Sequence, residues 1–147
     1  MRILFALRVV RVVVGASMCG VGVMHFVSPG PFAEIVPSYL PYPRLLVLVS
    51  GAFEIALGAG LFVPRARKLA SLGLVLLYVA VFPANVYMAM HHVQPAGISL
   101  SSWASWARLP FQAVFIALAI LAGRDRTGMA SPPPARASTD RGAQRKF

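Results

Sequence analysis

The side chains able to do chemistry in this chain are few, and most lie in apolar surroundings. Behind Arg44, the run to Val63 holds no charge except Glu54. An ionised group at the centre of a hydrocarbon layer costs at least roughly 2.5–3.5 kcal/mol, so Glu54 needs a reason to be there. Gly51 and Gly58 flank it at i−3 and i+4, on the same helical face. Small residues let a neighbouring helix approach closely, so the acid is expected to face protein and not lipid. A matching face lies near the N-terminus. Arg8, Arg11, Gly15, Met18, Gly22 and His25 are spaced 3, 4, 3, 4 and 3 apart and form one helical stripe. If the two segments are antiparallel neighbours, Arg11 comes within a few residues of the depth of Glu54. An Arg11–Glu54 ion pair would then offset much of the cost of both charges. Two roles stand open for Glu54: structural pairing with Arg11, or proton exchange together with His25. For His25 the second role competes with that of an interfacial histidine bonded to a loop carbonyl.

Further polar groups recur downstream. Ser71, Tyr78, Asn85 and His92 repeat every seven residues and share a face. Asn85 follows Pro83, which frees a backbone carbonyl one turn earlier; Asn85 either repairs that gap or binds a ligand. Gln112 sits near the outer end of the last apolar segment. By depth, His25, Asn85 and Gln112 belong to one half of the layer with Glu54 just below. Together they are expected to line a polar cavity open to the outer side, with Asn85, Gln112 and Tyr78 as ligand-binding candidates. Tyr78 and Tyr87 read more simply as packing residues with a bonded hydroxyl. His91 and His92 adjoin a segment end, but a metal site needs a third ligand that the sequence does not offer, so no metal is expected. Cys19 is the only cysteine, which excludes an internal disulfide or a CxxC redox pair and leaves it a small packing residue.

The elements that must position these groups follow from composition. Apolar residues make up 58% of the 147 and charged residues only 12%, against roughly 45–50% and 25% in soluble domains. One soluble domain of this length could not hide so much apolar surface. Four segments are long enough to span a bilayer: about 3–26, 44–63, 69–90 and 103–122. The prediction is an all-α, transmembrane four-helix bundle over residues 1–123. Ser28 to Pro43 contains five prolines and several apolar residues, which suits a short re-entrant or interfacial segment after the first helix. Trp103 and Trp106 read as headgroup anchors. Residues 124–147, with Ser131-Pro132-Pro133-Pro134, read as a disordered basic cytoplasmic tail.

Net charge is +10. On a soluble protein that would suggest nucleic acid. Here twelve of the fourteen cations lie on the N-terminal side of the first span (Arg2, Arg8 and Arg11), in the Arg65-Ala66-Arg67-Lys68 turn, or after the last span. That distribution sets orientation toward anionic headgroups, with both termini cytoplasmic, and no nucleic-acid partner is expected. The alternative of a cleaved N-terminal signal is weakened by Arg8 and Arg11, which interrupt the apolar run, and by the lack of a small-residue cleavage site.

Several of these pieces occur in a familiar order. Gly22-Val23-Met24-His25-Phe26 is followed by Pro29, Phe32, Ile35-Val36-Pro37 and Leu40-Pro41. Ser50-Gly51-Ala52-Phe53-Glu54 and Gly58-Ala59-Gly60-Leu61 come next, then Pro64, Arg67 and Val81-Phe82-Pro83-Ala84-Asn85. Over about residues 20–90 this resembles the DoxX-like family of small four-helix bacterial membrane proteins. The resemblance implies a bacterial inner-membrane bundle in which His25, Glu54 and Asn85 are the polar motif positions. Some members of that family resemble a quinone-reducing subunit of a thiosulfate oxidoreductase, others are linked to membrane redox-stress assemblies, and most have no assigned activity. A redox-associated subunit binding a quinone or similar lipophilic molecule is therefore one expectation. It requires a bound cofactor or a redox partner subunit, since paired cysteines are lacking. The other expectation is a non-enzymatic scaffold, an assembly partner of a larger complex or a homo-oligomer, in which Glu54 is structural.

Overall fold

The computed structural model describes residues 2–91 and 102–124. His92 and the expected tail from residue 125 onward lie outside the described residues.

Four long helices are each long and apolar enough to cross a membrane. They are α1 (Arg2–Val27), α3 (Pro43–Gly60), α4 (Arg67–His91) and α5 (Ser102–Gly123), with a six-residue helix α2 (Pro29–Glu34) after the first. This is the all-α four-helix membrane architecture expected from composition. Helix α1 packs on α3 and α4 on α5, and contacts α3–α4 and α1–α5 close the bundle. The outward faces carry Phe5, Val12, Phe53, Leu72, Leu76 and Phe115, all exposed. In water such a surface would be untenable; against lipid tails it needs no partner.

Local sequence explains where the elements begin and turn. Pro43 opens α3 at a position where its missing N–H is no loss, and Tyr42 before it takes a left-handed φ of 55°. The proline-rich segment folds back over the helices: α2 touches both α1 and α3, and Pro37 is fully buried. Pro83 and Pro110 sit inside α4 and α5 without ending them. The last span therefore gains its length from the turns before Pro110.

The apolar core sits toward one end, where Val14, Leu61, Ala70, Leu74, Ala119 and Ala122 meet from α1, α4, α5 and the turn after α3. Two guanidinium groups close helix ends there. Arg11 Nε donates to Ala122 O at 3.1 Å and its Nη2 to Arg124 O at 3.2 Å. Arg67 Nε donates to Leu61 O at 3.0 Å. Cations at helix C-termini satisfy carbonyls that have no intrahelical donor. Arg2, Arg8, Arg65, Lys68 and Arg124 belong to the same end by topology, so it is strongly basic. Arg44 and Arg108 belong to the other.

Candidate functional site

Glycines set the register between α1 and α3. A Cβ on Gly15 would stand 3.0 Å from Gly58 O, and one on Gly22 would stand 2.7 Å from Gly51 O. The two backbones therefore touch at two levels seven residues apart on each helix, with no room for a side chain. Glu54 lies near the level of Cys19, whose Sγ approaches Ile55 O at 3.7 Å. Arg11 is eight residues farther along α1, about 12 Å at the rise of a helix.

The expected Arg11–Glu54 ion pair is accordingly not formed. Arg11 belongs to the helix ends of the basic side, and Glu54 meets His25 instead. His25 Nδ1 stands 3.0 Å from Glu54 Oε2. Both atoms are fully enclosed, and neither satisfies the directional geometry of a hydrogen bond with any group. The contact is therefore close but off-axis, electrostatic more than directional. The side chains retain only 9% and 11% exposure. The ring of Phe32 from α2 lies against the His25 ring, with centroids 4.1 Å apart. The folded-back segment thus covers the pair.

A second polar pair joins the other two helices. Asn85 Nδ2 donates to Gln112 Oε1 at 3.0 Å. Gln112 Nε2 in turn donates to the carbonyl of Tyr78. Gln112 is buried, Asn85 half-buried. The Tyr78 hydroxyl donates to Met18 Sδ at 3.2 Å. Tyr78 therefore bridges α1 and α5, its hydroxyl on Met18 and its carbonyl held by Gln112. Ser71 Oγ donates to Ala119 O at 2.8 Å, nearer the basic end.

The structure thus places His25, Glu54, Tyr78, Asn85 and Gln112 in one polar belt across the bundle, but as pairs and not as the walls of one open cavity. Two surface grooves are present. One, of about 310 Å³, is lined by Tyr39, Pro83, Val86, Tyr87, Met90 and His91. The other, of about 340 Å³, is lined by Trp103, Ala104, Ala107, Arg108 and Phe111. Neither reaches His25, Glu54, Asn85 or Gln112. His91 turns its Nδ1 to Tyr87 O at 3.0 Å, and among the described residues no group of three metal-ligating side chains occurs.

Chemically, the His25–Glu54 contact is a site for one proton. With the proton on His25 the pair is a compact dipole, and with it on Glu54 both groups are neutral. Both arrangements carry no net charge, which is the quantity a low-dielectric environment penalises. Adding or removing a proton would leave a net charge between the helices.

Residues 14–122 match the family described as Domain of unknown function (DUF8561). The chain belongs to this family. The matched stretch of the DUF8561 chain encloses both polar pairs, the glycine contacts and α2, and leaves out Arg8 and Arg11. No curated protein and no solved structure matches it.

Proposed function

We propose that this multi-pass membrane protein handles protons for a lipophilic redox molecule, a quinone or a close chemical relative. The reading rests on one observation: a histidine and a glutamate 3.0 Å apart, enclosed between two helices that approach at glycines. Reduction of a quinone to a quinol consumes two electrons and two protons. The His25–Glu54 pair serves the proton side, passing a proton to each quinone oxygen in turn and recovering each of the two from water at the outer surface. The electrons come from a redox partner subunit. The donor set suits a carbonyl ligand, because Asn85 and Gln112 each use one amide N–H in the observed bonds and retain a second. In this reading the resemblance to the DoxX-like family marks a shared role. The chain then sits in a bacterial cytoplasmic membrane with its basic end and both termini inside.

Purification of the full chain in native lipid, followed by extraction and analysis of bound quinone, tests the proposal. Co-purified quinone that falls in Glu54→Gln supports it; an empty protein, or unchanged quinone content in the variant, refutes it.

The satisfied hydrogen bonds of Ser71, Asn85 and Gln112 favour a second reading, in which the belt is a static seam and the protein is a membrane scaffold. Loss of a co-purifying partner on removal of residues 125–147, with Glu54→Gln leaving it bound, selects that reading.

A further inference from the structure

The outer turns of α5 carry a feature that the polar belt does not use. Trp103, Ala104, Ala107, Arg108 and Phe111 recur at helical spacing and line the groove of about 340 Å³. Trp103 and Phe111 form its ends, and the two alanines leave its floor low. Trp103 is 74% exposed and Phe111 57%. At the rim is Arg108, one of the two cations at the end opposite the basic cluster. Arginine has five N–H donors, yet among the described residues the Arg108 guanidinium meets only Met88 Sδ, at 3.8 Å. A thioether sulfur is a weak acceptor. The residue is otherwise exposed and meets no carboxylate among the described residues.

We propose that this groove is a binding site for an anionic phospholipid of the outer-facing leaflet. The headgroup phosphate is held by Arg108 beside Ala104 and Ala107, and an acyl chain runs inward from it over Phe111. Three features select this occupant. The groove is apolar along its length and faces the lipid. Its single charge is positive and stands at the end where headgroups lie. The planar guanidinium fork matches two phosphate oxygens, as a point charge would not. A zwitterionic lipid also has a phosphate, but its own ammonium group competes for that phosphate. A net negative headgroup is therefore preferred. One cation near a membrane surface contributes about 1 kcal/mol toward an anionic lipid, which is a preference of about fivefold.

The chain has only two tryptophans, and both are in this part of α5. Replacing Trp106→Phe leaves Trp103 as a reporter inside the groove. The full-length Trp106→Phe protein is reconstituted in phosphatidylcholine vesicles containing increasing fractions of phosphatidylglycerol or phosphatidylcholine with brominated acyl chains, which quench tryptophan on contact. The expected result is half-maximal quenching at about fivefold less brominated phosphatidylglycerol than brominated phosphatidylcholine. Arg108→Gln should bring the two curves together, whereas Lys68→Gln at the opposite end should leave them apart. Identical curves in the Trp106→Phe protein overturn the proposal, as does a preference that survives Arg108→Gln. Arg108 is exposed, so its replacement leaves the bundle intact, and unchanged helical circular dichroism verifies this. None of these outcomes depends on quinone chemistry.

Discussion

Replacing Gly51 by alanine tests the proposed geometry of the proton pair most directly. The added Cβ would stand 2.7 Å from His25 Cβ, 2.9 Å from Gly22 O and 3.2 Å from Phe26 Cε2. The first two atoms are fixed to the α1 backbone, so no rotamer change relieves them. Ordinary contact begins at 3.4 Å, so α1 must retreat by about 0.7 Å at this level, the difference between 3.4 and 2.7 Å. Overpacking of this kind costs about 1–3 kcal/mol. The same movement carries His25 away from Glu54. Gly20 supplies the control, because a Cβ there would meet nothing within 4 Å; Gly20→Ala should lose no stability. Reversible unfolding by SDS in mixed micelles, followed by tryptophan fluorescence, measures both variants. Gly51→Ala should unfold at distinctly lower SDS fraction than Gly20→Ala. Equal midpoints would mean that the helices are not in backbone contact at this level, and the argument placing His25 beside Glu54 would fail with them.

Two further outcomes are expected. His25→Gln and Glu54→Gln should each cost about 1–3 kcal/mol by leaving a buried polar partner, and the double variant should cost less than their sum; strictly additive losses in the same unfolding assay would show that the two side chains do not interact. In a Cys19→Ala background, Ser38→Cys should react with a membrane-impermeant maleimide in intact cells, whereas Arg65→Cys should react only after lysis. Labelling of both from one side would break the four-span topology, and the reverse pattern would invert its orientation.

The sequence reading placed the helices well because length and apolar content decide a membrane span almost alone. The expected spans, 3–26, 44–63, 69–90 and 103–122, lie within about three residues of the observed helices at each end. Pro110 lies inside the last span, and the helix continues through it. Site pairing was harder to read. The stripe holding Arg11 and His25 and the face holding Glu54 were both visible, but facing stripes do not fix how far one helix is slid along the other. The missing information was present as the two glycine pairs. Gly15 and Gly22 on one helix and Gly51 and Gly58 on the other are both seven residues apart, and antiparallel matching of those steps puts Arg11 beyond the end of α3. The strength of an arginine–carboxylate pair outweighed that spacing. The Asn85–Gln112 bond was unreadable for another reason: both residues were assigned to the same depth, but which neighbour satisfies an amide depends on helix rotation. Asn85 was expected to repair the backbone near Pro83 or to hold a ligand, and its side chain finds Gln112.

The polar contacts of α1 also imply an order of assembly. His25 waits for a carboxylate that arrives with the next span, and the Arg11 guanidinium closes on a carbonyl 111 residues further along the chain. During synthesis α1 therefore enters the bilayer before the partners of both groups exist, and its insertion is completed by segments made later. Nascent chains stopped before α3 should be held at the insertion machinery or degraded, and α5, which emerges after α3 and α4, closes the bundle around α1.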